Sequence, residues 1–175
     1  MVSVTVAHVI GTVALIGLFI SAGMGYSVHF ADMREQASAA QLQGIADYVS
    51  DVILDIYSIG SSGEGDQLLV KTLSIPSQVS QSSYNLSLVQ VFISPSEIAF
   101  VVLVRLTWNP SVYAESLLPW SGLEGKLSLF NGTLPQGFQS TILQPKLFVL
   151  SGVSVPAVWY FKSGPKIILG LGLKS

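Results

Sequence analysis

The hydrophobic pattern divides the chain into an apolar N-terminal segment, an amphipathic segment and a β-rich remainder. Residues 1–31 contain no Asp, Glu, Lys or Arg. A helix needs about 20 apolar residues to cross a hydrocarbon core of ~30 Å. This segment therefore predicts a helix over residues 3–28 that is long and apolar enough to span a membrane. A cleaved signal peptide is disfavoured, because the apolar run is too long and no positive charge precedes it.

The amphipathic segment, predicted over residues 32–58, begins where Asp32 ends the apolar run. Its apolar positions recur at spacings of four and three residues, which is typical of one helical face. They are Ile45, Val49, Val52, Ile56 and Ile59. Asp47, Asp51 and Asp55 follow a separate, solvated face. Because no proline occurs before Pro76, we predict one helix from about residue 3 to about residue 58, ended by the glycine-rich residues 60–65.

The remainder of the chain, residues 66–175, predicts a separate β-rich domain. Seven short runs rich in β-branched and aromatic residues lie between Pro, Gly, Ser and Asn clusters. They are Leu68–Ile75, Tyr84–Ile93, Ile98–Trp108, Lys126–Phe130, Lys146–Ser151, Ala157–Lys162 and Lys166–Leu173. The expected class is α+β: a helical region over residues 1–60, followed by an antiparallel sheet or β-sandwich-like domain onto which residues 32–58 pack.

Two features of this domain lead to more detailed expectations. The nearly continuous apolar run Ile98–Leu106 predicts a central strand with both faces covered, one of them by the helix stripe. The stretch Asn109–Gly125, flanked by Trp108 and containing Tyr113 and Trp120, predicts a long aromatic loop. Such a loop serves either as a contact surface between copies of the chain or as a lid over the domain's own core.

Composition excludes several classes of function. The net charge is −2, only 10% of residues are charged and the basic residues are scattered, so we expect no nucleic-acid partner. Cysteine is absent, which removes thiolate chemistry. Both histidines, His8 and His29, lie in or beside the apolar segment, so the β-rich domain has no histidine with which to form a catalytic dyad. We therefore expect no enzyme, no cofactor and no metal site, and interpret the aspartate face as solvated rather than cation-binding.

The candidate functional residues are of two kinds. Gly17, Ser21 and Gly25 lie at successive i+4 positions of the apolar helix, a stripe that allows another helix to approach closely. Asn85 and Asn131 each begin an Asn-x-Ser/Thr triplet and are candidate N-glycosylation sites.

Four short stretches of this sequence resemble the archaeal type IV pilin-like superfamily, which comprises archaeal pilins, archaellins and accessory proteins of the archaellum. They are Val9–Thr12, which is similar to the start of the family's hydrophobic segment, Ile45–Val49, which is similar to its helical domain, and Leu73–Ser77 with Tyr84–Leu88, which are similar to its opening strands. The family carries a basic leader and, in its bacterial relatives, an acidic residue near the mature start. Neither is present here, so we expect either the mature form or an unprocessed protein.

The resemblance implies a lollipop-shaped structural subunit of an extracellular filament on the cell surface, serving adhesion or motility. Its partners would be identical copies in a helical homopolymer, the membrane before assembly, an assembly ATPase, a platform membrane protein and a surface layer. Two alternatives stay open. One is a membrane-anchored, stator-like archaellum accessory protein, and the other is a bitopic extracellular ligand-binding domain.

Overall fold

The computed structural model describes residues 2–94, 97–120 and 126–174. Within them, one helix, α1 (Val2–Ser62), precedes nine β-strands. The strands are β1 (Gln67–Thr72), β2 (Tyr84–Ser94), β3 (Glu97–Leu106), β4 (Tyr113–Leu117), β5 (Leu127–Leu129), β6 (Leu143–Lys146), β7 (Phe148–Leu150), β8 (Val155–Ser163) and β9 (Lys166–Lys174). The α+β class, with a long apolar helix followed by mainly antiparallel sheets, is confirmed.

Helix α1 contributes to two compact units of the chain, one comprising Met1–Ala37 and the other Ser38–Ser175. It ends at Ser62, four residues beyond the predicted position. The last turn is stabilised by serine hydroxyls, since those of Ser61 and Ser62 donate to the carbonyl oxygen of Ser58 at 3.1 and 2.8 Å. These bonds add to the main-chain hydrogen bonding of the last turn, since a serine hydroxyl can donate to a carbonyl oxygen three or four residues before it. The glycine-rich segment therefore begins inside the helix.

The strands form two sheets. The first has the order β1-β8-β9-β5, and β6 also pairs with β9. The second has the order β4-β3-β2-β7. Among the described strands β5 and β9 pair in parallel, whereas the remaining pairs are antiparallel. Strand β3 has a neighbouring strand on each side, but its predicted coverage on both faces holds only in part, because on its outer face Val101 is buried whereas Arg105 is exposed.

The main core of the larger unit is formed by α1 and one face of each sheet. Its helix residues are Leu42, Ile45, Ala46, Val49, Val52, Ile53 and Ile56. They share one apolar cluster with β3 residues such as Phe100, Val102 and Val104 and with β8 residues Val158 and Tyr160. In the structure the helix residues and β3 contribute to the same apolar cluster, and Asp47, Asp51 and Asp55 are exposed to solvent. Ile59 departs from the prediction, because its side chain is 62% exposed.

The opposite face of the first sheet has a smaller core. Trp159 and Phe161 of β8 are buried there, and the ring of Phe138 lies 5.1 Å from that of Trp159, centroid to centroid. Trp159 also donates from Nε1 to the carbonyl oxygen of Leu171 at 2.8 Å. Its indole ring occupies the space in which a Cβ at Gly170 would lie, which explains a glycine inside β9. The run Ala157–Phe161 of β8 is buried throughout, since both faces of the strand are covered there, and it is correspondingly apolar.

Tyr84, at the start of β2, is fully buried and connects three segments of the larger unit. Its hydroxyl donates to the carbonyl oxygen of Pro76, and its main-chain N–H donates to the hydroxyl oxygen of Ser151 at 2.9 Å. Burial raises the pKa of Tyr84 to about 12, since the phenolate would lose its hydration.

The first prediction tests the helix stripe. Ile53 is fully buried and Ile59 is mostly exposed, although both lie on the same helix. Ile53→Ala should lower the free energy of unfolding by about 2–5 kcal/mol, because it leaves a cavity. Ile59→Ala, the matched control, should change it by less than about 0.5 kcal/mol. Thermal and denaturant unfolding of the full chain in detergent measures both, and equal effects would contradict the packing described.

The second prediction concerns alkaline pH. Because the pKa of Tyr84 is raised to about 12 from 10.0, the folded chain keeps a proton that the unfolded chain loses between these values. The stabilisation is complete below about pH 10 and is lost as the pH rises towards about 12. Tyr84→Phe should therefore reduce the fall of the unfolding midpoint across this range. At neutral pH it should cost roughly 1 kcal/mol for the lost hydrogen bond.

The matched control for this experiment is Tyr113→Phe, because the ring of Tyr113 lies at the surface. Its unfolding midpoint should follow that of the unmodified chain across the alkaline range. An unchanged alkaline fall in Tyr84→Phe would show that burial of Tyr84 does not contribute to it.

Candidate functional site

The described part of the N-terminal unit is a helix, the first part of α1, whose surface is exposed and apolar. Large apolar side chains lie all around the helix axis here, and each of them is 52–69% exposed. They are Val9, Ile10, Val13, Leu15, Ile16, Leu18, Phe19, Ile20, Met24, Tyr26, Val28, Phe30 and Met33. Helices that are hydrophobic on every side are found in membranes or in the interior of large assemblies. We call residues 9–33 the apolar helix surface.

The free energy gained by covering this surface shows which environment it needs. Burying one large apolar side chain fully contributes about 1.5–3 kcal/mol, so covering these thirteen partly exposed side chains contributes on the order of 10–25 kcal/mol. That range is comparable to the whole stability of a typical domain, about 5–15 kcal/mol. A helix of this length and hydrophobicity can cross a membrane. The apolar helix surface therefore requires an apolar environment.

Three hydroxyl groups on the apolar helix surface form hydrogen bonds within the helix. Thr12 donates to the carbonyl oxygen of His8 at 2.8 Å, Ser21 to that of Gly17 at 2.8 Å and Ser27 to that of Met24 at 2.9 Å. An unpaired donor in hydrocarbon costs several kcal/mol. Because these bonds close within the helix, the three hydroxyls do not need water. They suit a dry environment of either kind, lipid or other helices.

The predicted helix-packing residues form an open strip on this surface. A Cβ added at Gly17 or Gly25 would meet no atom within 4 Å, so another backbone can approach at both positions. Ser21 lies between them and turns its hydroxyl back onto Gly17. Gly23 is equally open but lies off this strip, since at about 100° per residue it is about 120° from Gly17 and about 160° from Gly25 around the helix.

The two candidate glycosylation residues lie in different environments. Asn131 is exposed, and its Oδ1 accepts a hydrogen bond from the N–H of Thr133 at 3.1 Å, which places its triplet in a turn at Gly132. Asn85 lies within β2 between Arg105 of β3 and Leu150 of β7, and its Oδ1 is buried without a hydrogen-bond partner. Access favours Asn131, and N-glycosylation stays a prediction for both residues.

The predicted aromatic loop proves to contain both a lid and exposed aromatic residues. Trp120 is 8% exposed, and its ring lies 4.4 Å from that of Tyr57 of α1, centroid to centroid. Trp120 therefore covers the main core. Trp108 and Tyr113 are exposed instead, and Tyr113–Leu117 form strand β4 rather than loop. Residues 121–125 of the predicted loop lie outside the described residues.

Two of the helix aspartates in the larger unit have polar partners. Asp55 forms an exposed ion pair with Lys71 at 2.9 Å, and Asp47 accepts a hydrogen bond from Gln43 at 2.9 Å. No group of three His, Asp or Glu side chains placed to hold a metal occurs among the described residues. A cavity of about 180 Å³ beside Tyr84 is lined by serine, proline, glycine and aliphatic side chains.

The sequence interpretation missed a second apolar surface, the outer face of the four-stranded sheet. Alternate residues of β4, β7 and β2 are exposed there, among them Leu117, Phe148 and Val91. The tip of the β2–β3 hairpin, with Phe92 and Ile93, is also exposed. The sequence could not separate the two faces of these strands, because both the exposed and the buried alternate positions include apolar residues.

Comparison of this chain with protein-family models, with curated proteins and with solved structures finds no match.

Proposed function

We propose that this protein is a structural subunit of an extracellular filament of the archaeal type IV pilus kind, assembled by packing of the N-terminal helices of identical copies. One observation carries the proposal: the apolar helix surface of residues 9–33 is exposed on all sides. A single-span anchor needs lipid alone, whereas the strip of Gly17, Ser21 and Gly25 offers close contact to a second helix.

The physical chemistry of assembly follows from this surface. Before assembly the helix lies in the bilayer, which satisfies its apolar side chains. During assembly it leaves lipid for the neighbouring helices and exchanges one dry environment for another, so the transfer has a small net cost. We assign the extraction to an assembly ATPase and a platform membrane protein. The β-rich unit, low in charge and carrying Asn131 at its surface, meets the medium and serves adhesion or motility.

The third prediction tests the strip by substitution. Gly17→Leu with Gly25→Leu fills the strip, and we expect it to lower the amount of filament sheared from cells by tenfold or more while the chain still enters the membrane. Gly23→Leu, compared with Gly25→Leu alone, is the matched control, since the two glycines have equal space around them but Gly23 lies off the strip. The control should leave the filament yield within about twofold, because it leaves the strip of Gly17, Ser21 and Gly25 open.

The measurement is quantitative mass spectrometry of the sheared and membrane fractions, combined with electron microscopy of the sheared fraction. Finding the unmodified chain only in membranes would contradict the filament proposal. It would favour the second candidate, a membrane-anchored accessory protein of stator type, which the length and hydrophobicity of the same helix also support.

A further inference from the structure

The turn that begins at Asn131 contains a chemically reactive pair of residues. The chain has three asparagines, Asn85, Asn109 and Asn131, and of these Asn131 alone is followed by glycine. The main-chain nitrogen of a residue can attack the side-chain amide of an asparagine directly before it, and glycine hinders this attack least because it has no Cβ. Asn131 is therefore the asparagine whose side-chain amide is lost most readily.

The Asn131 turn is exposed, whereas residues on both sides of it are packed. Residues 131–133 are exposed, so water and hydroxide ions reach the side-chain amide. The rings of Phe130 and Phe138 lie 5.3 and 5.1 Å from that of Trp159, centroid to centroid. Between these two packed phenylalanines the backbone of the loop can change its angles while the core beneath it stays intact.

One hydrogen bond within the turn favours the attack. The main-chain N–H of Thr133 donates to Oδ1 of Asn131 at 3.1 Å. When the nitrogen of Gly132 bonds to Cγ of Asn131, negative charge develops on this same Oδ1. A donor that already points at the oxygen stabilises the developing charge. The turn therefore supplies both an unhindered nucleophile and a donor for the oxyanion.

The other two asparagines lack these features. Asn109 is followed by Pro110, whose main-chain nitrogen carries no hydrogen, so it cannot form the neutral cyclic imide through which the amide is lost. Asn85 lies in β2 and pairs with Arg105 on one side and Leu150 on the other. The change in backbone angle that ring closure requires would break this ladder, and core strands open rarely. Both residues are therefore internal controls for Asn131.

We propose that Asn131 is a site of spontaneous deamidation. A base removes the proton from the main-chain N–H of Gly132, and the nitrogen forms a bond to Cγ of Asn131. The bond between Cγ and Nδ2 breaks, Nδ2 takes up a proton and leaves as ammonia, and a five-membered succinimide ring remains. Water then adds to either carbonyl carbon of the ring, and the ring opens to aspartate or isoaspartate. No oxidant or reductant takes part.

The reaction changes both the charge of this surface and the modification that it can carry. It adds a carboxylate to a chain whose net charge is −2, and isoaspartate inserts a CH₂ group into the main chain. An N-linked glycan is attached through Nδ2 of asparagine, so N-glycosylation and deamidation of Asn131 exclude each other. The reaction needs neither lipid nor another copy of the chain, and it is therefore independent of the proposed function.

Peptide mapping of the full chain by mass spectrometry tests the proposal, after incubation in mildly alkaline buffer with detergent to cover the apolar helix surface. Fragmentation of the peptides distinguishes aspartate from isoaspartate. Asn131 should be converted to both products at least tenfold faster than Asn85 or Asn109. Conversion of Asn131 at the same rate as Asn85 would overturn the proposal.

Thr133→Ala prevents a glycan from hiding the reaction. This variant removes the glycosylation triplet but keeps the Asn-Gly pair and the main-chain N–H that donates to Oδ1. It should therefore deamidate at Asn131 whether or not the host attaches N-linked glycans. An intact Asn131 in Thr133→Ala, after incubation under the same conditions, would also overturn the proposal.

Two further variants test the role of the Asn-Gly pair. Gly132→Ala should slow the conversion of Asn131 at least tenfold, because a Cβ hinders the attacking nitrogen. Gly132 has a φ of +97°, which strains any other residue, so unfolding midpoints must show that this variant folds. Asn131→Gln leaves Gly132 in place and should lose its amide at least tenfold more slowly, because a six-membered ring closes less readily. Unchanged rates in both variants would contradict attack by the nitrogen of Gly132.

Discussion

A helix that exposes apolar side chains on every side cannot remain in water, and this constraint governs the protein. Thirteen large apolar side chains between Val9 and Met33 are each more than half exposed, and covering them is worth as much as the stability of an ordinary domain. No Asp, Glu, Lys or Arg interrupts the run before Asp32, and the hydroxyls of Thr12, Ser21 and Ser27 bond within the helix. The lack of charge and these internal hydrogen bonds agree with a dry environment.

The same helix meets a different requirement after Ala37. From Leu42 to Ile56 one face is fully used by the core of the larger unit, and the opposite face carries aspartates that remain in water. Two patterns of hydrophobicity in one helix therefore correspond to two environments. The larger unit also exposes apolar residues that lie outside its two cores, Phe92 and Trp108 among them.

Much of the fold could be predicted from the sequence because its signals are local. The spacing of Ile45, Val49, Val52 and Ile56 predicted the buried face of the helix. The dense apolar runs predicted strands β2, β3, β8 and β9. Strands β4 and β6 were missed, since Tyr113–Leu117 does not alternate polar and apolar residues and lies in a turn-rich stretch, and β6 contains Pro145. Ile59 fits the helical period, yet it is exposed. Whether residue 59 is buried depends on where the sheet ends, and the periodicity of apolar residues does not carry that information. The packing of Trp120 on Tyr57 and the exposure of Trp108 are likewise decided by tertiary contacts.

The central claim is that the apolar helix surface packs against the same surface of other copies, and the distance between helices tests it most directly. A nitroxide attached to Phe19→Cys in the full chain reports that distance by electron spin resonance, since the chain has no other thiol. In sheared filaments the account predicts strong dipolar coupling between copies, because packed helices lie about 8–10 Å apart. Labels that behave as isolated spins in sheared filaments, with no coupling between copies, would contradict it.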